Sequence, residues 1–139
     1  MPSDAPFIVG RADELAMIGE AIARARDGRG GALLLSGEPG IGKTALARAF
    51  GDAGAASGFA VAWGRAWEAG GAPPYWLWIE IVRGLIARRP DAPWSQLPGA
   101  AVLGGLLPEL APAAAATMDA ATMRFQICDA LANLLRRAA

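Results

Sequence analysis

The chain has 139 residues, with 13 basic side chains against 13 acidic ones, no histidine and one cysteine, a length that suits one ordinary domain or part of a larger one. Zero net charge removes any global pull toward nucleic acid or an anionic membrane. The absence of histidine excludes a Ser-His-Asp triad and any imidazole metal ligand, and Cys128 alone makes neither an internal disulfide nor a cysteine-rich zinc site.

Taken in chain order, Phe7-Ile8-Val9 is a short apolar patch ending at Gly10. A helix is predicted from about Asp13, because Leu15, Ile18 and Ile22 recur at spacings of three and four. Asp13 and Glu14 suit its first turn, and Arg24 and Arg26 its last; Gly28, Gly30 and Gly31 stop it. Ala32-Leu33-Leu34-Leu35-Ser36 is an apolar run bounded by glycines, which predicts a strand buried on both faces. A tight loop over 37–42 follows, and Lys43 opens a helix to about Ala55. Phe59-Ala60-Val61-Ala62-Trp63 predicts a second strand. The order strand, helix, strand points to an α/β fold with a parallel sheet core.

Residues 67–74 form a Gly/Pro loop, with Pro74 placed to start a helix. Tyr75, Trp78, Ile79, Val82, Leu85 and Ile86 make one apolar helical face, which Arg88, Arg89 and Pro90 end. Residues 90–119 are rich in proline, alanine and glycine and yield no firm element. A last helix is predicted from about Ala120, with Phe125, Cys128, Leu131 and Leu135 along one side. Cys128 reads as a core thiol, and Trp63, Trp67, Trp76 and Trp78 as core and loop packing rather than a ligand box. The N-terminus lacks a basic region followed by a long apolar run. The most membrane-like window, 99–118, carries Glu109, Pro108 and Pro112. A soluble, cytoplasmic chain without a membrane partner is the expectation.

One motif carries chemistry. Gly37-Glu38-Pro39-Gly40-Ile41-Gly42-Lys43-Thr44 fits G-x-x-x-x-G-K-[ST], the P-loop or Walker A pattern. The glycines allow backbone angles that a Cβ would penalise. The loop then turns its N–H groups inward as an anion nest, and the following helix adds the positive end of its dipole. Lys43 is the candidate catalytic residue, its ammonium placed on the β- and γ-phosphates. The Thr44 hydroxyl is the candidate Mg²⁺ ligand, and Ala45 completes the nucleotide-binding set. A predicted strand before the motif and a predicted helix after it are the context that this mechanism demands.

Phe7-Ile8-Val9-Gly10-Arg11-Ala12-Asp13-Glu14-Leu15 resembles the "hhGRexEL" motif of AAA-type signalling ATPases, and residues 36–44 resemble their P-loop. Trp63-Gly64-Arg65-Ala66-Trp67-Glu68 and residues 70–78 resemble a stretch common in bacterial members. Together they resemble the origin-recognition-complex-like AAA ATPase domain of STAND-type regulators, including large LuxR-type transcription activators. The resemblance implies a P-loop NTPase three-layer sandwich, ATP with Mg²⁺ as cofactors, and the rest of a longer regulator or other subunits as partners. It also implies that the backbone at Ile8 and Val9 lies beside the adenine, and that Gly10 and Arg11 shape that pocket, with Arg11 reaching the nucleotide. Residue physics alone leaves an equal alternative, in which Phe7 to Val9 staple the next helix and Arg11 is solvated.

The family pattern also requires a second apolar strand ending in acids. None of Asp52, Glu68, Glu80, Asp91, Glu109, Asp119 and Asp129 ends a convincing strand. Residues 125–129 imitate one, but Leu131, Leu134 and Leu135 continue a helical period. The expectation is therefore the N-terminal part, 1–139, of an AAA-type domain without its Walker B strand and lid, binding nucleotide weakly and hydrolysing it negligibly. A small-molecule P-loop kinase would share 37–44 but leaves the N-terminal motif unexplained. Neutral charge and the lack of a helix-turn-helix pattern oppose direct nucleic-acid binding.

Overall fold

A computed structural model describes residues 10–66, 71–112 and 119–138. The elements in order are α1 (Ala12–Arg26), α2 (Lys43–Ala56), α3 (Trp76–Arg88), a 3₁₀ turn at Trp94–Gln96, α4 (Ala100–Leu103) and α5 (Ala120–Ala138). The chain divides into two compact units, Met1–Phe59 and Ala60–Ala139.

The predicted α/β fold with a parallel sheet core, and with it the three-layer sandwich, is corrected by this architecture: among the described residues there is no strand. Both predicted strands are extended chain without a partner. No backbone hydrogen bond joins residues 32–36 or 60–64 to another segment among the described residues. A strand becomes part of a sheet only when a neighbour lies about 4.8 Å away to take its N–H and C=O groups. An apolar run cannot supply that neighbour itself, and each unit holds one such run.

In the first unit, Ile18 and Ile22 of α1 and Leu46 of α2 form a small buried cluster. Leu33 and Leu35 pack against it, while Leu34 between them is 90% exposed. That alternation is the two-residue period of extended chain with one face covered. The sequence reading of a run buried on both faces fails at Leu34. Leu15, expected in the helical face, is also exposed.

The second unit has the larger core: Ile79, Val82 and Leu85 of α3, Trp94, Leu103, Leu107 and Leu110, and Ile127, Ala130, Leu131 and Leu134 of α5. The extended segment near Ala62 lies flat on α3. A Cβ on Gly64 would stand 2.9 Å from Ile81 Cγ1, and one on Gly84 would stand 3.4 Å from Ala62 Cβ, so these two glycines set the close approach. Trp94 is anchored by its indole N–H, which donates to the Arg89 carbonyl at 2.8 Å, as a buried indole nitrogen requires. Within the stretch that yields no firm element from sequence, residues 94–110 thus supply much of this core.

Asp119 starts α5 by accepting the N–H groups of Ala121 and Thr122, each at 3.0 Å, and the Thr122 hydroxyl at 2.6 Å. This is an N-cap arrangement, and these bonds hold the Asp119 carboxyl below its ordinary value of 3.8, the Thr122 hydroxyl contributing most. The buried face of α5 is Ile127, Ala130, Leu131 and Leu134, with Leu135 packed against the core, so of the predicted stripe Leu131 and Leu135 face inward and Phe125 and Cys128 do not. Phe125 is 74% exposed and Cys128 is exposed, which corrects its reading as a core thiol. Trp63 and Trp78 are likewise more exposed than core packing implies, and Trp67 lies outside the described residues. No described helix is long and apolar enough to cross a membrane.

Candidate functional site

The first unit holds the loop 37–42 and the start of α2. Gly40 and Gly42 sit at φ +80° and +97°, left-handed angles at which a side chain is strained. They turn the chain sharply into α2, whose N-cap, Gly42, offers no side-chain hydrogen bond and whose first turn has no acidic residue. In α1, by contrast, Asp13 and Glu14 occupy the first turn. The N-terminal end of α2 is therefore left electrically open.

Leu46 N–H closes the first helical bond onto the Gly42 carbonyl at 3.1 Å. Among the described residues, no protein acceptor takes the N–H of Gly40, Gly42, Lys43, Thr44 or Ala45. Free amides at the start of a helix after a glycine-bent loop form an anion-binding concavity. Glu38, Pro39, Gly40, Ile41, Gly42 and Thr44 are exposed, whereas Ala45 is half-buried.

Lys43 is the single lysine of the chain. Its Nζ donates to the carbonyls of Gly37 at 2.9 Å and Glu38 at 2.8 Å. The ammonium thus spans the loop, with two of its three donors on neutral acceptors. An anionic oxygen offers a stronger charge-assisted bond than either carbonyl, so these contacts are exchangeable.

Arg11 joins the same site from the start of α1. Its guanidinium donates to Glu14 Oε1 at 2.6 Å and to the Ile41 carbonyl at 2.9 Å. The Arg11 side chain is thus engaged with α1 and the loop, and its hydrogen bond holds the Glu14 carboxyl below its ordinary value of 4.5. A cavity of about 210 Å³ lies beside these groups, lined by Arg11, Glu14, Ile41 and Lys43 and by the leucines of 33–35. Gly10, with φ +70°, leads into Arg11. Ile8 and Val9, expected beside the adenine, lie outside the described residues, as does Phe7. The structure brings Arg11, the loop and Lys43 together. The motif pattern located the loop and Lys43, but a contact spanning 30 positions left no signal in the spacing.

Four of the acids that follow the loop have other partners, and Glu68 lies outside the described residues. Glu80 accepts the Arg65 N–H at 2.7 Å, Glu109 pairs with Arg83, Asp119 caps α5 and Asp129 accepts from Asn133 at 3.1 Å. The Arg83 hydrogen bond lowers the Glu109 pKa. No cluster of acids or cysteine suited to a metal ion occurs among the described residues. The second unit carries a larger cavity of about 570 Å³ between α3, α4 and α5, lined mainly by apolar residues with Arg83 at its edge.

A family model described as AAA ATPase domain matches residues 8–139 of the chain. No curated protein matches, and no solved structure does.

Proposed function

Because the chain belongs to the AAA ATPase domain family, whose members are ATP-binding modules, we propose that residues 37–45 are its phosphate-binding element and that Mg·ATP is its ligand. The observation that supports this most is the set of free amides at Gly40, Gly42, Lys43, Thr44 and Ala45, at the start of a helix whose first turn holds no acid. The residues present fit the ligand: the β- and γ-phosphates accept from these amides and from Lys43 Nζ. The exposed Thr44 hydroxyl is the protein's ligand for the metal. Bound Mg²⁺ supplies charge neutralisation across the phosphate oxygens.

A regulatory role is the finer reading. It rests on the resemblance of 7–15, 36–44 and 63–78 to bacterial signalling ATPases. ATP occupancy would bias a conformational equilibrium through its differential affinity for two states. Nucleotide binding is the activity assigned to this chain.

Calorimetric titration tests the reading. Saturable one-to-one binding of Mg·ATP, with adenosine silent at the same concentration, is the expected result. Equal binding of adenosine would place recognition on the base and overturn the phosphate-loop reading.

A further inference from the structure

The Arg11 side chain reaches Ile41 across 30 positions and meets the loop at one backbone atom. Ile41 lies between the two left-handed glycines, the part of the loop with least conformational restraint of its own. The peptide joining Ile41 to Gly42 is planar and trans. Its carbonyl and its N–H therefore point in opposite directions. Fixing the Ile41 oxygen toward α1 fixes the Gly42 N–H toward the other side, where it is one of the five amides without a protein acceptor.

The grip is itself fixed. Guanidinium nitrogens form a rigid planar fork: one terminal nitrogen of Arg11 bonds Glu14 and the other bonds Ile41. Glu14 stands one helical turn along α1, so the fork is referenced to a helix rather than to another loop. Both side chains are about two-thirds covered.

We propose that Arg11 is a positioning residue for phosphate binding: held by Glu14, it clamps the Ile41 carbonyl and so presents the Gly42 N–H to the polyphosphate, without touching the nucleotide itself. This inference rests on the phosphate-loop reading and deepens it. It differs from direct contact between Arg11 and the base or ribose, because a clamp on the loop acts on any polyphosphate, with or without adenosine.

The test measures binding of inorganic tripolyphosphate and of Mg·ATP to the 139-residue chain and to Arg11→Gln, Arg11→Lys and Glu14→Gln. Arg11→Gln should weaken both ligands by the same factor, about three- to tenfold, less than a lost direct contact because the bond removed positions the loop and is not made to the ligand. Arg11→Lys should weaken both similarly, since one ammonium does not reproduce the fork. Glu14→Gln, which keeps the Ile41 contact, should weaken both by less. Amide exchange at Gly42 in the ligand-free chain should change in Arg11→Gln, while helical exchange in α1 and α2 stays the same. Loss of ATP binding with tripolyphosphate binding intact would assign Arg11 to the nucleoside and overturn the clamp. Full retention in Arg11→Lys would reduce the effect to charge and overturn it as well. If the wild-type chain binds both ligands and Arg11→Gln is unchanged, this inference alone falls. If the wild-type chain binds neither, the phosphate-loop reading falls and takes the clamp with it.

Discussion

Lys43→Ala is expected to weaken Mg·ATP binding by about ten- to a hundredfold, the equivalent of a charged hydrogen bond of roughly 1.5–3 kcal/mol. The ammonium already stands over the loop mouth on the Gly37 and Glu38 carbonyls, and the bonds it gives up to those neutral acceptors are weaker than those it gains to phosphate oxygens. No other lysine exists to take its place. The fold should be undisturbed, because Lys43 is neither part of the buried cluster of Ile18, Ile22 and Leu46 nor in a salt bridge among the described residues. Helical circular dichroism unchanged within error, together with the affinity loss, is the expected pair of results. Unchanged affinity would remove Lys43 from the site.

The second large effect is structural. Gly104→Ala should lower the stability of the second unit by about 3 kcal/mol, the upper part of the range for overpacking a core, and lower its Tm by roughly 12–24 °C. Gly104 is buried beside Leu103, which is among the most buried residues of the chain. A Cβ there would collide with the Ala111 carbonyl oxygen and approach the Pro112 carbonyl oxygen at 2.9 Å. These are backbone atoms, which yield less readily than the end of a side chain. The neighbouring Gly105→Ala is the control: its Cβ would meet only the Val102 carbonyl at 3.5 Å, an ordinary contact. Thermal denaturation followed by circular dichroism should separate the two variants clearly, and equal melting temperatures would contradict the packing account.

Much of this molecule can be read from the sequence, for reasons that differ by element. The helices α1, α2, α3 and α5 follow from apolar spacing and from glycine and proline punctuation, and their ends fall within a residue or two of expectation. The glycine loop before α2 follows from its motif. Among the described residues the sheet is absent, because Leu33, Leu34 and Leu35 state only that the chain is extended and apolar, whereas a sheet depends on neighbours that a local run does not encode. The buried face of α5 is only half legible, at Leu131 and Leu135, for a similar reason. Two apolar stripes are available on that helix, and the one carrying Ala130 is buried because Gly99 approaches there, its would-be Cβ standing 2.5 Å from Ala130 Cβ. A small residue chosen for a close approach is invisible to a search for large apolar ones. In 90–112, Leu103, Leu107 and Leu110 do stand at helical spacings of four and three, but Gly104, Gly105 and Pro108 interrupt them, and the 3₁₀ turn and α4 are each shorter than one amphipathic repeat, so the pattern breaks into pieces too short to read as an element. At the site, Lys43 was legible and the Arg11 contact to Ile41 was not, because it links two positions through space.

Amide hydrogen exchange at the start of α2 tests the central claim most directly. On adding Mg·ATP, the N–H groups of Gly40, Gly42, Lys43, Thr44 and Ala45, which lack protein acceptors in the structure, should become protected as phosphate oxygens take them up, while adenosine leaves them unchanged. Saturating Mg·ATP with all five still exchanging at their ligand-free rates would contradict it.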